Sequence, residues 1–106
     1  MEKVIRGDMV AVLVSPGYGA GWFTWSRSHP NSEALLFDPE VVAWVEAGKV
    51  GPLPDVEAKY GFEGFFGGGA DDLVIQWVPV GKKFRVHEYD GSESLVFEED
   101  YRWYIA

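Results

Sequence analysis

Six apolar residues in a row, Met9-Val10-Ala11-Val12-Leu13-Val14, interrupt the mixed pattern of the chain. A run without alternation fits a strand covered on both faces, at the centre of a sheet. Leu73, Ile75 and Trp77 alternate with Val74, Gln76 and Val78 as far as Pro79, which predicts another strand. Two segments, Phe84 to Tyr89 and Ser94 to Phe97, flank Asp90-Gly91, a strong hairpin signal. With a two-residue turn, Val86 faces Leu95 and Phe84 faces Phe97, making one apolar face. The same register sets Glu88 opposite Glu93, a like-charge pair that solvent, a cation or a ligand must relieve. Trp22-Phe23-Thr24-Trp25 reads as a short strand, Ser26 to Ser32 as a turn or exposed loop, and a last strand is expected near Trp103-Tyr104-Ile105.

Helical signals are fewer. Asp38 can accept from the first free amides, Pro39 suits the first helical position, Glu40 complements the dipole and Gly48 closes the segment. Val41, Val42, Trp44 and Val45 form a stripe on a helix of about nine residues, too short to stand alone and therefore docked on the sheet. Asp55 through Gly61 predicts one or two capped turns. The whole, residues 1–106, reads as a single α+β domain: a mainly antiparallel sheet of four to five strands, with one main helix and one short helix on one side.

Glycine marks two loops. Ser15-Pro16-Gly17-Tyr18-Gly19-Ala20-Gly21-Trp22 follows the first strand directly. Its glycines match neither G-x-G-x-x-G nor a phosphate loop, because the spacing differs and no Gly-Lys-Ser/Thr follows. What remains is a turn whose amides can cup an anion or a carbonyl, with Tyr18 and Trp22 available to stack on a ring; the plain alternative is a tight, crowded turn. The second loop, Phe62 through Asp72, embeds three phenylalanines, so it is expected to be ordered by its own aromatics. Asp71 and Asp72 can hold a cation or accept from sugar hydroxyls, or simply cap the entry to the next strand. Arg27, just past the first loop, is the best-placed cation for phosphate among Arg6, Arg27, Lys82, Lys83 and Arg85.

Composition narrows the classes. Nine basic against seventeen acidic residues give a formal charge of −8, which opposes binding to duplex nucleic acid or anionic membrane. The absence of cysteine excludes disulfides, thiolate nucleophiles and cysteine zinc sites. Met1 to Asp8 lacks the apolar stretch of a signal peptide and no segment approaches roughly 18 apolar residues, so a cytoplasmic protein is expected. Five tryptophans exceed what a core of this size must hold; some are expected to face a ligand, a partner or another copy of the chain.

No catalytic set emerges. Ser15 lacks a nucleophile-elbow context and precedes proline, although His29 or His87 is available as a base. Neither histidine has a second at metal spacing. Glu88 and Glu93 have the makings of an acid and base pair, but a hairpin tip is solvated. No metal and no cofactor are assigned. The ligand-binding set is Ser15, Gly17, Tyr18, Gly19, Gly21, Trp22, Arg27, Asp71, Asp72, Glu88 and Glu93.

The order of Ser15-Pro16-Gly17-Tyr18-Gly19-Ala20-Gly21-Trp22, then Leu36-Phe37-Asp38-Pro39, then Glu88-Tyr89-Asp90-Gly91-Ser92-Glu93 resembles a family of small uncharacterised proteins of tailed bacteriophages. The resemblance implies a phage setting inside a bacterial host and carries no activity or catalytic residue with it. In that setting two roles stand side by side. One is a non-enzymatic accessory protein that counters host defence by holding a small, nucleotide-like ligand in its glycine-rich loops. The other is an acidic inhibitor that binds a host protein through surfaces such as Glu98-Glu99-Asp100.

Overall fold

The computed structural model describes residues 2–19, 21–62, 68–98 and 103–106. Its centre is strand β2 (Met9–Val14), flanked antiparallel by the two-residue β1 (Ile5–Arg6) and by β3 (Val74–Pro79). A separate hairpin pairs β4 (Phe84–Tyr89) with β5 (Ser92–Phe97). The α+β arrangement of five antiparallel strands is thus present, divided between two sheets.

That division follows from β2. Its pleat sends Val10, Val12 and Val14 to one side and Ala11 and Leu13 to the other, so two apolar faces need cover. Ala11 and Leu13 pack with Trp22, Leu35, Val41, Val42, Val56 and Leu73 under the helices. The valines pack with Leu36, Phe37 and Val78, against which Phe84, Val86, Leu95 and Phe97 of the hairpin close. The register Phe84↔Phe97, Val86↔Leu95 and Glu88↔Glu93 is the one expected from a two-residue turn. Asp90 and Gly91 make that turn with φ of 50° and 83°, a conformation for which this dipeptide is well suited.

Among the described residues, three short helices precede β3. α1 (Ala34–Phe37) is buried on all four residues, so no polar alternation announced it. Asp38 breaks the direction of the chain at ψ 119° and then caps α2 (Pro39–Glu46), accepting from the Val41 amide at 2.9 Å. α3 (Val56–Tyr60) is capped by Asp55 at the Ala58 amide, 3.0 Å. Residues Thr24–Ser26 form a 3₁₀ turn rather than the expected strand, and Asp71 and Asp72 end a second 3₁₀ turn, Gly68–Asp72. Trp103, Tyr104 and Ile105 are not in a strand: they have no neighbouring ladder and stand in solvent. Of the phenylalanine-rich loop, Phe62 is buried against His29 and Tyr60, and residues 63–67 lie outside the described set.

Asp38 does more than cap. Its other oxygen accepts from Lys59 Nζ at 2.7 Å and from the Tyr60 hydroxyl, tying α3 to the start of α2. Burial pushes this carboxyl up, but the hydrogen bonds from Lys59, Tyr60 and the Val41 amide outweigh it and leave the group below its ordinary value. A carboxylate depressed on folding stabilises the protein above its unfolded value, near 3.8, and loses that contribution as pH falls through the folded value. Asp38→Asn is therefore expected to cost about 1–2 kcal/mol at neutral pH. Urea midpoints measured at pH 7 and pH 3 should show the gap to the parent protein narrowing at the lower pH.

Candidate functional site

The first glycine loop, the second glycine loop and the hairpin meet at one place, and Glu93 is its centre. Glu93 shares the inward face of β5 with Leu95 and Phe97, and only 2% of it is exposed. One carboxylate oxygen accepts from the Ser15 amide at 3.1 Å. The other accepts from the Trp22 amide at 3.0 Å, the Thr24 amide at 2.8 Å and the Thr24 hydroxyl at 2.7 Å. Four donors from one loop replace the water that a buried carboxylate gives up.

The rest of the loop is held in the same way. The Ser15 hydroxyl donates to the Gly69 carbonyl at 2.8 Å, and the Glu93 amide returns a bond to the Ser15 carbonyl at 2.8 Å. The Ser92 hydroxyl donates to the Pro16 carbonyl at 2.7 Å, and the Gly19 amide to the Asp90 carbonyl at 2.8 Å. Gly17 lies under the Asp72 side chain, where a Cβ would collide with the carboxyl group and stand 2.9 Å from the Asp72 Cβ. At Gly21 a Cβ would strike Thr24 and Trp25. Close packing, not an open cradle, explains these two glycines.

The structure brings Ser15, Gly17, Gly19, Gly21, Trp22, Asp72 and Glu93 together and shows what each touches. Trp22 is wholly buried and donates through Nε1 to the Leu35 carbonyl at 2.7 Å, so it belongs to the core and presents no ring to a ligand. Glu93 stands opposite Glu88 as the register predicts but is not a solvated tip residue: the loop amides occupy its carboxylate, while Glu88 accepts from the Gly91 amide at 2.6 Å. Arg27 donates to the Val86 carbonyl at 2.8 Å and lies over the Phe23 ring, bracing the 3₁₀ turn on the hairpin. Ser15, Gly17, Gly19, Gly21 and Asp72 serve the same knot. Asp71 accepts Lys49 through its backbone carbonyl and leaves its side chain in solvent, and Tyr18 is 73% exposed. Among the described residues no cluster of three or more metal-ligating side chains exists, and no helix is long and apolar enough to cross a membrane.

An opening of about 560 Å³ lies elsewhere, between α1 and the open end of the hairpin. Lys82 and Lys83 reach it from the β3–β4 turn, Arg85 from β4 and Lys3 from the N-terminal segment; Leu36, Phe37, Phe84 and Val96 line it. These are four of the chain's nine Lys and Arg residues, gathered on a molecule whose net charge is −8. Glu33 and Glu98 also border it, so cations outnumber carboxylates four to two. A narrower cleft of about 170 Å³ shares Lys3, Phe37, Lys82 and Phe84 and runs down to Val10, Val12 and Val78.

The cations are positioned rather than merely nearby. Lys3 Nζ sits 4.5 Å from the centre of the Phe37 ring, and Lys82 Nζ 4.4 Å from that of Phe97. Phe37 and Phe84 meet edge to face at 6.3 Å. Such contacts fix flexible ammonium groups beside an apolar floor, which suits a ligand with one flat apolar part and one negative part. Sequence reasoning named Lys82, Lys83 and Arg85 as phosphate-countering cations but preferred Arg27. Lys3 went unnoticed, because only the fold carries it across from the far end of the chain. No protein-family model, curated protein or solved structure matches this chain.

Proposed function

We propose that the protein is a non-enzymatic binding module for a small, nucleotide-like anion, taken up at the Lys3–Lys82–Lys83–Arg85 groove rather than in the glycine loops. The observation that carries this reading is the concentration of four cations around Phe37 and Phe84 on an otherwise acidic molecule. Phosphate is met by ammonium and guanidinium groups, and a base by the half-buried Phe84 and Val96 of the groove wall. The surrounding negative field disfavours polyanions such as duplex nucleic acid and leaves room for a compact ligand. In a phage setting, holding such a signal would withdraw it from a host defence.

Calorimetric titration with nucleoside mono- and diphosphates, the neutral nucleoside and orthophosphate tests it. Binding should require both halves of the ligand, and Lys83→Glu should weaken it by about tenfold or more while leaving the melting temperature unchanged. Failure of every nucleotide to bind, or equal binding to the charge-reversed variant, defeats the reading.

A further inference from the structure

Two carboxylates border the cationic groove, and the side chain of one of them has no partner among the described residues. Glu33 stands at the N-cap position of α1, yet it caps nothing. No described cation lies within ion-pair distance of it, although Lys3, Lys82, Lys83 and Arg85 line the same groove. With φ −56° and ψ −31°, Glu33 continues the helical path backward and shares a face with Leu36 and Phe37, three and four positions on. Both of these line the groove, and the Phe37 ring meets Phe84 edge to face. Glu98 differs. Continuing the register of β4 and β5 sets it across from Lys83, so its charge faces an opposite one.

An ionised carboxylate has acceptor oxygens and no donor, so it works against any ligand edge that presents acceptors. Among the common bases, only guanine presents two adjacent N–H donors on one edge, from N1 and the exocyclic N2. Adenine and cytosine place an acceptor ring nitrogen beside the amino group, and uracil sets its single N–H between two carbonyls. On the nucleotide reading of this groove, on which the assignment rests, we infer that it selects guanine nucleotides. Phosphate meets the lysines and Arg85, the ring lies against Phe84 and Val96, and the N1–N2 edge donates to both oxygens of Glu33. A volume of about 560 Å³ is ample for such a ligand.

Calorimetric titration of the full chain with guanosine, inosine and adenosine diphosphates provides the test. The guanosine form should bind about tenfold or more tighter than the adenosine form, and the inosine form, which keeps N1–H and lacks the N2 amino group, should fall between them. Glu33→Gln replaces one acceptor by a donor and should bring the guanosine and adenosine affinities together. The side chain is exposed, so an unchanged melting temperature would show that the fold persists. Equal binding of the two diphosphates to the parent chain overturns the guanine assignment and leaves the nucleotide reading standing. A preference that survives Glu33→Gln, or loss of adenosine diphosphate binding along with it, overturns the selective role of Glu33. If no nucleotide binds the parent chain, the nucleotide reading itself fails, and guanine selection with it.

Discussion

Glu93→Ala is expected to lower the unfolding free energy by about 3–5 kcal/mol, a large share of what a domain of this size possesses. The loss is not that of one contact. Removing the carboxylate leaves three backbone amides and a hydroxyl without their acceptor, and the buried Ser15 and Trp22 amides among them carry the full cost of desolvation. Glu93→Gln separates charge from geometry. Its carbonyl can still receive Trp22 and Thr24, but its amide nitrogen then confronts the Ser15 amide, donor against donor. A smaller loss, about 1–3 kcal/mol, is expected for glutamine. Urea denaturation of the two variants, read by tryptophan fluorescence, measures both; equal stability of Glu93→Ala and the parent protein would rule out the knot as a stabilising element.

Trp22→Ala is the second large effect, at about 3–5 kcal/mol. The side chain is fully enclosed among Leu13, Leu35 and their neighbours, so its removal opens a cavity and also leaves the Leu35 carbonyl without its indole donor. Four residues earlier in the same loop, Tyr18 projects into solvent, and Tyr18→Ala should stay within about 0.5 kcal/mol of the parent. Thermal and chemical unfolding of the pair distinguishes a core residue from a surface one. A ligand-binding role for the loop aromatics would give the opposite ranking: little effect on stability at Trp22 and a marked effect on binding.

Much of the scaffold was legible. The unbroken run Met9–Val14 announced a strand covered on both faces, and the helices and the hairpin do cover it. Asp38-Pro39 and Asp55 marked helix starts because a side-chain cap is a local device, complete within a few residues. Asp90-Gly91 fixed the hairpin register for the same reason. The four-residue α1 escaped notice because a helix buried on every side has no polar face to set a period.

The site was harder. Parity along β5 places Glu93 on the same face as Leu95 and Phe97, an inward signal that competes with the solvation usual at a hairpin tip. Nothing local could reveal the donors, since Ser15, Trp22 and Thr24 precede Glu93 by 78, 71 and 69 positions. The groove was hidden by the same distance, for it joins Lys3 to Lys82 and Lys83 across almost the whole chain.

The glycine loop and its carboxylate lie far apart in the chain, and this couples two distant segments in one unit. The loop's amides have no carboxylate to bind until β5 has been made, and β5 has no inward berth until β2, β3 and the helices have closed beneath it. Hairpin docking therefore closes loops of 69 to 78 residues, a cost offset by the four donors together with the apolar packing of Phe84, Val86, Leu95 and Phe97. The same logic applies in reverse. When the hairpin lifts, the amides of Ser15, Trp22 and Thr24 lose their shared acceptor together, and the loop is released as one cooperative unit with the hairpin rather than fraying residue by residue.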